Sequence, residues 1–220
     1  MSVGAAEGDL EIAKFSKEKI SNLVVRKKGK TDETIVVGAH YDRTDSGCGA
    51  TDNWSGVSIL AHIYKTLRPL DTTKSYIFVA FDQEEAGLKG SSQMLKAMTD
   101  IEIDKICSMV NFDSFGQAYP MALKNASSTK MLKLAEGLGK ESGFKLNSVE
   151  IPGASSDSAS FLGKKVPAIT LSGLGGNWTE IIHSSNDKLD KVNIESVYLG
   201  YRFGVVFISK LDSAGCGEFK

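Results

Sequence analysis

The sequence predicts an α/β fold, a three-layer α/β/α sandwich around a mixed, mostly parallel sheet. Two observations carry this. Strand-like and helix-like segments alternate along the 220 residues. The strand segments IVVGA, YIFVAF and CSMVNF are continuously apolar, the pattern of strands covered on both faces by helices. Length and an ordinary composition, 41% hydrophobic and 24% charged, suit one domain over residues 1–220.

The elements follow in order. SNLVVRKKG and ETIVVGAH predict two strands that form a hairpin through polar GKTDE, which makes the sheet mixed. DNWSGVSILAHIYKTL places Val57, Leu60, Ala61, Tyr64 and Leu67 on one helical face, and Pro69 ends the helix. SYIFVAFD is a buried-type strand, KGSSQMLKAM a helix and KICSMVNFD a strand. STKMLKLAEGLGKES is an amphipathic helix closed by Gly143. FKLNSVEI is a strand, SDSASFLGK a short helix and VPAITLS a strand. NIESVYLGYRFGVVFISKL is a long final helix.

Several classes are excluded. A net charge of −1 gives no basic excess for nucleic acid or an anionic membrane. No run of eighteen uncharged apolar residues exists, so no membrane span is expected. The start, MSVGAAEGDLEIAK, lacks a basic region followed by an apolar one, so no signal peptide is read; a mature fragment would look the same, and the compartment stays open. Cys48, Cys107 and Cys216 are odd in number and far apart without a C-x-x-C; three separate thiols are expected. Sequons at Asn53, Asn125 and Asn177 receive no weight. No complete G-x-G-x-x-G, G-x-S-x-G or Walker loop appears.

The polar residues concentrate where the apolar strands end. IVVGA runs into His40 and Asp42, YIFVAF into Asp82, Gln83, Glu84 and Glu85, and CSMVNF into Asp113. In open α/β sheets ligands bind beyond the carboxyl ends of the strands, so three strands deliver these groups to one edge. Asp52, at the start of the following helix, points back to the same edge. Singly, each has a structural reading: a satisfied strand-end histidine, a solvated Glu–Glu pair, a turn aspartate, a helix cap. Together, four or five carboxylates repel one another unless cations hold them. Histidine nitrogen with carboxylate oxygen and no thiolate fits catalytic zinc, and several carboxylates suit a two-metal site with one bridging. His183, after the last strand, is the second histidine on that side; His62, within a helix, reads as structural.

The ordered set GAHYD, GATDNWSG, FVAFDQEEAGLKGSS, NFDSFG, SSDSASF and IIHSSNDKLD resembles the co-catalytic two-zinc aminopeptidases of the bacterial leucyl aminopeptidase type. Their wider family includes glutamate carboxypeptidases and glutaminyl cyclases. The resemblance runs from about Asn22 to about Ile208 and implies the same α/β/α sandwich. It implies His40 and Asp113 as terminal ligands of two zinc sites, Asp52 as the bridge, and Glu85 and His183 as the remaining ligands. Glu84 becomes the general base, and Asp42 orients His40, with Asp187 doing the same for His183. The implied substrate is a peptide with a free N-terminus. This chain departs from the pattern at Ser158, where relatives commonly have histidine in S-D-H. It also has Pro152–Gly153–Ala154–Ser155 where some relatives carry an oxyanion-holding tyrosine. A single-zinc cyclase-like acyltransferase and a carboxypeptidase or dipeptidase are the alternatives; the latter needs cationic groups, and only Arg43 lies beside the site. Trp54, next to Asp52, is favoured over Trp178 as a pocket wall.

Overall fold

The computed structural model describes residues 4–5, 7–15 and 19–220. The strands are β1 (Leu10–Phe15), β2 (Ile20–Lys27), β3 (Thr34–His40), β4 (Ser75–Phe81), β5 (Ile106–Phe112), β6 (Met121–Leu123), β7 (Asn147–Val149) and β8 (Ala168–Ser172). The helices are α1 (Ser55–Leu67), α2 (Lys89–Ala97), α3 (Asp100–Asp104), α4 (Thr129–Glu141), α5 (Ser158–Gly163) and α6 (Ile194–Ser213). One sheet has the order β1-β2-β4-β3-β5-β8-β6-β7. The central four strands, β4, β3, β5 and β8, run parallel, and β1, β2 and β6 supply antiparallel pairings. This is the mixed, mostly parallel α/β sheet that the sequence predicts.

The expected hairpin is not there. β4 lies between β2 and β3, antiparallel to the first and parallel to the second. The reason is burial. β3 is apolar on both faces, with Ile35, Val36 and Val37 all fully buried, so it takes a central place. β2 alternates between buried and half-buried positions and suits a place near the sheet edge. β1, β6 and α3 were not foreseen; each is short or only partly apolar.

Alternate residues of the central strands feed opposite layers. Ile35 and Val37 pack with Ile59 and Ile63 of α1 and Phe203 and Phe207 of α6. Val36, Val79 and Met109 pack with Met94 of α2, Ile103 of α3 and Phe161 of α5. Helix α6 approaches the sheet closely through two glycines one turn apart. A Cβ on Gly200 would meet Phe115 at 2.4 Å, and one on Gly204 would meet Phe112 at 2.7 Å. A smaller apolar cluster, with Leu123, Ile151 and Leu174 at its centre, lies at the β6 end of the sheet. Among the described residues no helix is long and apolar enough to cross a membrane.

The expectation of three separate thiols is wrong for two of them. Cys107 in β5 and Cys216 beyond α6 form a disulfide across 109 residues, with Cα atoms 4.8 Å apart. Helix α6 starts at the carboxyl edge of the sheet, where the Asn193 N–H donates to Gly116 O. It ends at the opposite edge, where Asp212 accepts the N–H groups of Thr73 and Lys74 just before β4. The chain beyond it therefore arrives beside the start of β5, a proximity that sequence spacing does not reveal. Cys48 is free and exposed.

Candidate metal centre

The strand ends assemble one site. His40 is the last residue of β3, Asp113 follows β5, and Glu84 and Glu85 lie on the turn after β4. Asp52 precedes α1, in a stretch of extended backbone, with a cis peptide bond to Asn53, that interrupts the helical turn over Ala50–Trp54. It is not the helix cap that its position suggested. His183, in the left-handed backbone region at φ 56°, comes from the loop after β8.

Asp52 divides its oxygens between two groups. Oδ1 lies 3.0 Å from His40 Nε2, which is itself 3.5 Å from Asp113 Oδ1. Oδ2 lies 3.1 Å from His183 Nε2, which is 3.1 Å from Glu85 Oε2. Tetrahedral zinc with bonds of about 2.0–2.1 Å requires donor–donor edges of about 3.3 Å, and these separations straddle that value. The donor types, imidazole and carboxylate without thiolate, also fit zinc. A further sign is Glu85 Oε1, which is buried with no hydrogen-bond partner.

The surrounding residues fix these ligands. Asp42 accepts the N–H groups of Glu84 at 3.0 Å and Glu85 at 3.1 Å, and its Oδ1 faces His40 Nδ1 at 3.4 Å. It thus joins the β3 and β4 ends and directs His40 Nε2 inward. Asp113 accepts from the Ser114 hydroxyl at 3.0 Å and from the Ser156 hydroxyl, which in turn accepts from Asn111 Nδ2 at 2.7 Å. Buried Asn53 donates to Phe112 O and accepts from the N–H groups of Gly56 and Ser114, locking the Asp52 turn to the end of β5.

Asp187 has a different place from the one expected. Its carboxylate accepts the N–H of Thr51 at 2.7 Å and of Asp52 at 3.1 Å, so it orients the Asp52 turn and not His183. The two backbone donors, preorganised side by side, offer a buried carboxylate a better pairing than an exposed imidazole does. Ser158 is buried behind the cleft and bonds Ala126 O and the Thr170 hydroxyl. His62 is on the exposed face of α1, its ring bonded to Ser58 O.

Without a cation the site is under electrostatic load. Burial, followed by the charges of Asp113, Asp157 and Asp52, holds the Glu84 carboxyl up at about 10 despite the pull of His40. Burial and Asp52 push Glu85 to about 7. Asp157, fully buried, is pushed to about 7 by burial and then by Asp113 and Asp42, against the pull of His40 and Ser91. The hydrogen bond that His183 donates to Asp52 raises His183 to about 9. Burial would lower His40, but Asp113, Asp42 and Asp52 outweigh it and raise it well above its usual value. Asp52 goes the other way: despite burial, His183 and His40 hold it well below the carboxylate range.

A cleft of about 370 Å³ opens over the cluster. His40, Asp52, Glu84, Asp113 and His183 form its polar floor, while Leu123, Ile151, Leu174, Trp178 and Ile182 give it an apolar wall. Trp178 is thus the wall tryptophan; Trp54, 53% exposed, does not line the cleft. No tyrosine is among its lining residues. Sequence reasoning placed all seven candidate residues near this edge but missed the supports Asn111 and Asn53, and the part played by Ser156. Their long-range contacts run to residues 43 to 61 positions away, and no spacing pattern encodes them.

Fold and site define an α/β/α protein with a histidine–carboxylate cluster, able to hold metal, at the carboxyl edge of its parallel strands. The chain belongs to peptidase family M28, whose family model matches residues 22–198. It is 30% identical over 119 residues to aminopeptidase YwaD of Bacillus subtilis, covering 53% of this chain and 26% of that protein. The structure of BSAP, a zinc aminopeptidase from Bacillus subtilis, superposes with a TM-score of 0.78 at 21% identity, covering 91% of this chain and 54% of that one. A glutaminyl cyclase from an Acidobacteriales bacterium superposes with a TM-score of 0.79 at 22% identity, covering 95% of this chain and 81% of that one. The chain therefore spans only part of the aminopeptidases it matches.

Proposed function

We propose that the chain is a zinc-dependent aminopeptidase that hydrolyses the N-terminal peptide bond of peptides. The observation that carries this reading is the division of Asp52 between two nitrogen–carboxylate sets. His40, Asp52 and Asp113 would hold one zinc, and Asp52, Glu85 and His183 would hold a second. Zinc held there would acidify a bound water, polarise the scissile carbonyl and neutralise the acids that keep Glu84 protonated in its absence. Glu84, on the cleft floor, accepts the proton of the attacking water and delivers it to the leaving amine. Asp42 faces His40 Nδ1 at 3.4 Å and fixes the Glu84–Glu85 backbone. The carboxylates of the floor attract the free α-ammonium group, which selects the chain terminus of a peptide. The Cys107–Cys216 bond supports an oxidising compartment for the protein.

The test is Glu84→Gln, assayed on aminoacyl anilides alongside zinc content. Zinc near two per chain is expected in both forms, with kcat reduced by about 10²–10⁴-fold in the variant. A variant with near wild-type kcat removes Glu84 from this role. Release of ammonia from a Gln-initiated peptide, without loss of the first residue, would instead identify the cyclase chemistry.

A further inference from the structure

We propose that Asn125 is a positioning residue that sets the first-residue preference of the cleft by holding its 151–155 wall. This rests on the aminopeptidase reading. Ile151, Pro152, Gly153, Ala154 and Ser155 line the cleft together with the proposed metal ligands His40, Asp52, Asp113 and His183. The segment belongs to no helix or strand, and its one internal hydrogen bond runs from Ala154 N–H to Ile151 O at 3.0 Å. Among the described residues, its hydrogen bonds to the rest of the chain all go to Asn125. Asn125 Nδ2 donates to Ile151 O at 3.0 Å and to Ala154 O, and Oδ1 accepts the Ile151 N–H at 3.4 Å.

Asn125 is exposed, but the turn that carries it is anchored. It sits in the short turn Lys124–Ala126 directly after β6, between Leu123, 5% exposed, and Ala126, fully buried. Its amide therefore transmits the position of the sheet to the 151–155 loop. Ile151 and Ala154, the two bonded residues, pack in the cluster with Leu174, Trp178 and Ile182, which completes the apolar wall. A wall fixed at this distance from the floor rewards a first residue large enough to reach it. A wall released from Asn125 loses that discrimination, while the proposed metal ligands, carried by the end of β3 and by the segments before α1 and after β4, β5 and β8, keep their geometry. The same bonds occupy the amide that the Asn125 sequon would offer for modification.

The experiment compares kcat/KM for leucyl and alanyl p-nitroanilides in wild type and Asn125→Ala, with zinc content and thermal midpoint measured on the same samples. The expected result is a leucyl-to-alanyl ratio lowered by about tenfold, alanyl turnover within about twofold of wild type, and unchanged zinc. An unchanged ratio in a folded variant overturns the inference, as does an equal loss on both substrates. Asn125→Asp, which keeps the acceptor and removes the donor, serves if the alanine variant does not fold; failure of both to fold makes Asn125 a general stability element and overturns it. Wild type that cleaves neither anilide refutes the aminopeptidase reading first, and this inference falls with it.

Discussion

Asp187 reaches across 135 residues to accept the backbone N–H of Asp52 at 3.1 Å, while its other oxygen accepts that of Thr51 at 2.7 Å. A carboxylate that is 2% exposed thereby fixes the turn carrying the residue shared between the two ligand groups. Asp187→Ala leaves two buried N–H groups unpaired and frees that turn. Zinc affinity, measured by chelator competition, is expected to fall by about 10–100-fold. Unchanged affinity would show that Asn53 alone holds the turn.

Ser156 supports the Asp113 side of the centre in the same manner, with Asn111 behind it. Ser156→Ala removes the donor to Asp113 Oδ2 and leaves Asn111 Nδ2 with only the longer contact to Thr170. If two zinc ions bind as proposed, the one beside Asp113 should then dissociate more readily, seen as two distinct phases in a chelator titration where wild type gives tighter, less separated ones. Equal weakening of both phases would contradict a local effect.

The pH dependence of stability should reverse with metal. In the metal-free chain Glu84, Glu85 and Asp157 have folded values raised to about 10, 7 and 7, and His183 to about 9. Each raised group contributes stability that is complete below its unfolded value and is lost as pH rises through the folded one. Asp42 and Asp52, with lowered values, act in the opposite direction and only in the acid range. The thermal midpoint in chelator should therefore fall from about pH 5 to about pH 9. With excess zinc it should rise from pH 5 toward neutrality, because protons compete for the same ligands. Circular dichroism melts under the two conditions test this; parallel curves would mean that zinc does not use these groups.

The disulfide closes a separation of 109 residues and ties the end of the chain to β5. Cys107→Ala with Cys216→Ala should lower stability by about 2–4 kcal/mol, measured by urea denaturation. Thiol titration of the unfolded, unreduced protein should find Cys48 alone. Three reactive thiols would show that the bond does not form.

The sequence by itself determined the layered α/β plan and which polar residues arrive at the strand ends. Both are written locally: continuous apolar runs mark strands buried on two faces, and each run ends in the polar residue it delivers to the edge, as with His40 after IVVGA and Asp113 after CSMVNF. Tertiary structure alone decided the rest. It inserted β4 between β2 and β3, because the doubly apolar strand must lie in the centre. It brought Cys216 to Cys107 at the far end of α6 and gave Asp187 to the Asp52 turn, not to His183. It also placed Asn125 against the cleft wall. These contacts join residues tens of positions apart, and whether such a pair meets depends on how the whole sheet is ordered, which no short pattern of residues specifies.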